Sequence, residues 1–112
     1  MVTDEAIAET AHKLWAEVYE ADFRGKPRGR FRLTRGQLKR ALGVGRLHSS
    51  TVQRLQDAAL QLGLVIVDLD DMFPCVEADV LRRYRRPPTQ IFERFFPPNP
   101  ARGLTDAEDD ED

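Results

Sequence analysis

Residues 38–55, LKRALGVGRLHSSTVQRL, carry a helical pattern that stops at Gly43 and resumes after Ser49 and Ser50. Leu38, Ala41 and Leu42 share one face, and Gly43 suits the left-handed residue that closes a helix. Just upstream, Thr34–Arg35–Gly36–Gln37 has the form of a capping box. In it the threonine hydroxyl and the glutamine side chain satisfy each other's orphan backbone N–H groups. Ser50–Thr51–Val52–Gln53 repeats that form and opens a helix through Leu62, with Val52, Leu55, Ala59 and Leu62 as its apolar stripe and Gly63 as its stop. The break is therefore a turn, Val44–Ser49, between two short amphipathic helices.

Working outward, LVIVDLDD at 64–71 changes the apolar period and reads as a strand. Asp70 and Asp71 mark a turn, and Met72 to Val76 return as a second strand that Pro74 is expected to confine to an edge. Upstream, Thr3 caps a helix that runs to Tyr19, with Asp4 and Glu5 in its first turn and Ile7, Ala11, Leu14, Trp15 and Val18 as one stripe. FRGKPRGRFRL at 23–33 begins as loop and ends in a short strand, Arg30 to Leu33. Downstream, Ala78 to Arg86 is a short helix stopped by Pro87–Pro88, with Tyr84 packing inward. Thr89 starts another helix carrying Ile91, Phe92, Phe95 and Phe96. The expected fold is α+β and mostly helical: a helix-turn-helix with a small β-hairpin, an N-terminal helix and short C-terminal helices. One domain is expected over 1–98, followed by a disordered acidic tail, 99–112.

The chain of 112 residues is 41 % apolar, enough for a modest core. No apolar run approaches a membrane span, the N-terminus lacks the layout of a secretory signal, and the single cysteine, Cys75, suits a reducing cytoplasm. The net charge of −2 hides segregation: acids dominate both ends, whereas Arg24 to Arg46 holds nine cations and no acid. Such a block beside a helical pair points to a polyanionic partner.

The order helix, strand, helix, turn, helix, strand, turn, strand resembles the winged helix-turn-helix family of DNA-binding regulators. The residues that carry the resemblance are Leu33–Thr34, Gln37–Leu38, Leu42–Gly43–Val44, Ser49–Ser50–Thr51–Val52, Leu55 and Leu62–Gly63–Leu64–Val65, within about residues 30–75. It implies a supporting helix, a recognition helix and a wing hairpin. Two features depart from the pattern. Gly45–Arg46–Leu47–His48 lengthens the turn, and Asp68, Asp70 and Asp71 make the wing tip acidic, so the wing is expected to point away from DNA.

On that resemblance, the second helix enters the major groove N-terminus first. Ser49, Ser50 and Thr51 are placed for phosphate or local backbone contacts, and Gln53 and Arg54 for adenine and guanine edges. Asp57 pairs with Arg54 or accepts from cytosine. Arg24, Lys26, Arg28, Arg30 and Arg32 would clamp the backbone or form a minor-groove arm, with Arg35, Lys39, Arg40 and Arg46 beside them. About six phosphate contacts would give a log–log salt slope near −5. The arginines before the helical pair must then share a surface with the exposed edge of the second helix.

Catalysis has little to stand on: His12 and His48 lack nearby ligand or nucleophile partners, and no phosphate loop, serine elbow or dinucleotide fingerprint occurs. No cofactor or metal is expected. The function read from the sequence is a cytoplasmic, sequence-specific duplex DNA-binding protein, either a small repressor or an accessory factor of a mobile element. It would act as a homodimer through the first helix and Ile91, Phe92, Phe95 and Phe96. The rival is a winged helix used for protein–protein contact, favoured by the acidic wing, first helix and tail. A flexible acidic tail could also compete with DNA for the basic surface.

Overall fold

The computed structural model of the chain describes residues 2–21 and 29–98. Among them the fold is α+β and mostly helical, with five helices and one three-stranded antiparallel sheet.

Helix α1, Asp4–Lys13, starts where expected: the Thr3 hydroxyl accepts from the Ala6 N–H at 3.0 Å, and Asp4 and Glu5 occupy the first turn. It continues into a single π-turn, Leu14–Val18, closed by the Tyr19 N–H donating to the Leu14 carbonyl at 2.9 Å. The wider turn brings Tyr19 into the core. Its ring stacks on Trp15 at 5.3 Å and its hydroxyl donates to Glu77 Oε1 at 3.2 Å.

Strand β1, Phe31–Thr34, leads directly into α2, Arg35–Leu42. The capping box at Thr34 is complete: Gln37 N–H donates to the Thr34 hydroxyl at 3.0 Å, and the Thr34 N–H donates to Gln37 Oε1 at 2.9 Å. Gly43 closes the helix with φ +71°. Of the expected stripe, Leu38 and Leu42 are buried and Ala41 is exposed.

Helix α3, Ser49–Leu62, departs from the sequence reading at its start. His48, not Ser50, is the N-cap, and no side chain caps this end. Leu47 is anchored in the core, so the chain enters the helix straight after it and Ser50 already lies in the first turn. Val52, Leu55 and Ala59 are buried with Thr51, but Leu62 is exposed. Leu64, just beyond the Gly63 turn, supplies the apolar contact instead.

The sheet is ordered β1-β3-β2, with β2 Leu64–Ile66 and β3 Met72–Glu77. Phe31 pairs with Cys75 and Leu33 with Phe73 on one side of β3, and Ile66 with Cys75 on the other. Pro74 thus sits in the central strand, not at an edge. The Val67 N–H donates to the Pro74 carbonyl at 2.8 Å, and proline has no N–H to donate back. That missing reciprocal bond breaks the regular ladder, and β2 stops at Ile66, although the Leu69 N–H still donates to the Met72 carbonyl at 3.1 Å nearer the tip. By antiparallel alternation the backbone groups facing β1 belong to Phe73 and Cys75, so the β1 ladder is untouched.

Helix α1 packs on α3, α3 on β2, and α2 on β1, β3 and α1. Phe73, Leu38, Leu55, Leu64 and Cys75 form the centre of the core. Helix α4, Ala78–Arg82, is shorter than expected. Tyr84 beyond it is exposed rather than packed inward. Helix α5, Thr89–Phe95, buries none of its residues. The expected acidic tail, 99–112, lies outside the described residues.

Candidate nucleic-acid interface

The N-terminus of α3 opens into a wide cavity of about 880 Å³ between α1, the α2–α3 turn and α3 itself. Thr3 and Ala6 form the α1 wall, Gly43 to Arg46 the turn, and His48, Ser50, Thr51 and Arg54 the α3 wall. Because His48 provides no side-chain cap, the first-turn N–H groups of a helix of 14 residues have no side-chain acceptor. Ser49, Ser50 and Gln53 are exposed on this helix, as is Asp57 one turn on. Thr51 is only 8 % exposed and belongs to the cavity wall, the least accessible of the expected contact residues on this helix.

Arg54 is also placed differently from expectation. Its Nη2 donates to Asp4 Oδ1 of α1 at 2.6 Å, so its partner within the chain is Asp4 and not Asp57. Arg35 is likewise held: its Nη1 donates to the Asp70 carbonyl at 2.7 Å and lies 3.5 Å from Asp70 Oδ1, while its guanidinium sits 6.0 Å from the Phe73 ring centre. This contact ties the hairpin tip to the first turn of α2. The tip itself turns on Asp70 at φ +73°, with the Asp71 N–H donating to the Leu69 carbonyl at 2.8 Å and the Asp70 N–H donating to Asp68 Oδ1 at 2.8 Å. Aspartate tolerates that backbone because its short side chain bonds locally. The acidic tip is directed at Arg35.

The remaining cations separate into groups. Lys39 and Arg40 occupy the last turn of α2, and Arg46 is exposed in the turn that lines the cavity. These three lie along the chain immediately before the open end of α3. Arg30 and Arg32 do not join them. They lie on and beside β1, at the sheet edge opposite β2, whereas α3 packs against β2. Arg32 Nη1 reaches Met72 Sδ at 3.5 Å, and both arginines line a groove on the outer face of the sheet. The single cationic surface expected from the sequence is thus divided. Arg24, Lys26 and Arg28 lie outside the described residues.

Asp4 and Asp70 are the site residues that sequence reasoning missed. Each lies 35 or more positions from the arginine it holds, and no local spacing announces such a pair. Among the described residues, no three His, Cys, Asp or Glu side chains gather as a metal ligand set, and no helix is long and apolar enough to cross a membrane. Compared with protein-family models, curated proteins and solved structures, the chain matches none.

Proposed function

We propose that this chain is a duplex DNA-binding protein of winged helix-turn-helix type, with α3 as the helix that enters the major groove. The observation that carries the reading is the uncapped, solvent-open N-terminus of α3, with exposed Ser49, Ser50 and Gln53 and the cations Lys39, Arg40 and Arg46 leading into it. Unsatisfied N–H groups and the positive helix end favour a phosphate oxygen there. The sheet order β1-β3-β2, with three helices before the hairpin, supports the same reading. Gln53 takes over base recognition, since Arg54 is engaged by Asp4. A repressor or a mobile-element accessory factor is the role such a module would serve.

A second reading, a protein-interaction module without DNA binding, is favoured by the internal ion pairs of Arg35 with Asp70 and Arg54 with Asp4, for which an outside anion must compete. Fluorescence anisotropy of the full chain on a random-sequence duplex, across a salt series, separates the two. Contacts by Lys39, Arg40 and Arg46 alone correspond to a log–log slope of about −2.7, and the participation of Arg24, Lys26 and Arg28 to about −5. Replacing those last three by alanine should return the steeper slope to the shallower one. No binding at low salt would favour the interaction module.

A further inference from the structure

Two apolar surfaces stand open among the described residues, and they belong to neighbouring stretches of chain. The first is the outer face of the sheet. Side chains alternate along strands, so Val65, Val67, Pro74 and Val76 face away from the core that holds Leu64, Ile66, Phe73 and Cys75. Leu81 and Tyr84 extend this face into a groove of about 450 Å³, flanked by Arg30 and Arg32. The second surface is α5. Ile91 and Phe92 are about half exposed and Phe95 and Phe96 two-thirds exposed, and the rings of Phe92 and Phe96 lie 5.0 Å apart, packed on each other.

A helix of seven residues is not stable alone in water, so its aromatic face calls for a covering surface. Its own groove is next to it in sequence but is kept from it. Residues 85–88 form no regular structure and end in Pro87–Pro88, with Pro88 extended at φ −57° and ψ 139°. Such a spacer is stiff and advances about 3.1 Å per residue, carrying α5 away from the groove whose last lining residue is Tyr84. A short connection that cannot fold back favours exchange between copies.

We propose that α5 of one copy seats in the sheet groove of a second copy, and reciprocally, so that the chain forms a two-fold dimer by exchange of this helix. Of the two charges on α5, Glu93 can meet Arg30 or Arg32 at the groove rim, and Arg94 is then left to solvent. The area also supports this. An aromatic side chain buries roughly 150–250 Å² when fully covered, so four side chains at these exposures offer about 400 Å² per helix. Two reciprocal helices thus bring about 800 Å² of their own surface, to which the groove beneath each adds, toward the roughly 1,200 Å² at which stable, specific interfaces begin. The role also suits Arg30 and Arg32, which the fold separates from α3.

Sedimentation equilibrium of the full chain at tens of micromolar tests this. The wild type should sediment at twice the chain mass. The double variant Phe92→Ser with Phe95→Ser should sediment as a monomer, and so should the groove variant Val67→Lys with Tyr84→Ser. All four positions are solvent-exposed within the protomer, so circular dichroism of both variants should match the wild type. A monomeric wild type would overturn the proposal, and so would a dimer that survives the α5 substitutions. A dimer lost in the α5 variant but kept in the groove variant would also overturn it, because the helices would then be pairing with each other.

Discussion

Arg54 shows how one side chain changes the reading of a whole face. It stands beside Gln53 at the open end of α3, yet its guanidinium is held by Asp4 from another helix. The Asp4 carboxylate is almost fully exposed, and exposed pairs contribute about 0–1 kcal/mol, so a phosphate can compete for the arginine. Asp4→Asn should therefore tighten binding to random duplex by about two- to fivefold at low salt and steepen the salt slope by about 0.9. Stability should change by no more than about 0.5 kcal/mol, since the Thr3 cap remains. Anisotropy and thermal melting of the same sample would check both. In the sequence, Asp4 reads only as a helix-dipole partner. Its second role depends on α1 lying against α3, a long-range fact with no local signature.

At the scale of elements, the caps were the most legible part and the strand ends the least. Thr34 and Gln37 announce their capping box because every atom involved lies within three residues. The Ser50 box fails although its residues match, because the burial of Leu47 one turn earlier fixes where α3 begins. Pro74 misleads for a related reason. Pro74 is accommodated in the central strand because its missing N–H faces only Val67, one residue past the end of β2, while its carbonyl still accepts from the Val67 N–H. Pro74→Val should restore a donor opposite the Val67 carbonyl and lengthen β2. Hydrogen exchange should then show a protected amide at residue 74, with the core amides of β3 unchanged.

The molecule as a whole has its centre in the sheet, where Cys75 is buried and its Sγ lies 3.5 Å from the Phe73 carbonyl. Burial penalises the thiolate and pushes the thiol from its ordinary 9.0 up to about 12. Between those values the unfolded chain has lost a proton that the folded chain still holds, so global stability must fall as pH rises through that window. Denaturant melts from pH 8 to 12 should show this decline, and Cys75→Ala should make it shallower. The order of elements and the core were readable from period and punctuation: Leu38, Val52, Leu55 and Ala59 are all buried as expected. The grouping of charges was not. Arg30 and Arg32 precede the helical pair in sequence, but the sheet order puts β3 and β2 between their strand and α3.

The π-turn at Leu14–Val18 has one more consequence. It accommodates an extra residue without lengthening the helix by a full α-helical step, and each residue of an α-helix rotates the chain by about 100°. If residues 14–18 wound as regular α-helix at the same length, every later side chain would swing around the axis by about one residue's rotation, roughly 100°. Tyr19 would then leave Glu77 and the Phe31 ring, whose centre lies 6.3 Å from its own. The irregular turn thus works as a phase adjuster for the downstream chain, and deleting one residue from 14 to 18 should leave a regular helix with Tyr19 still in the core.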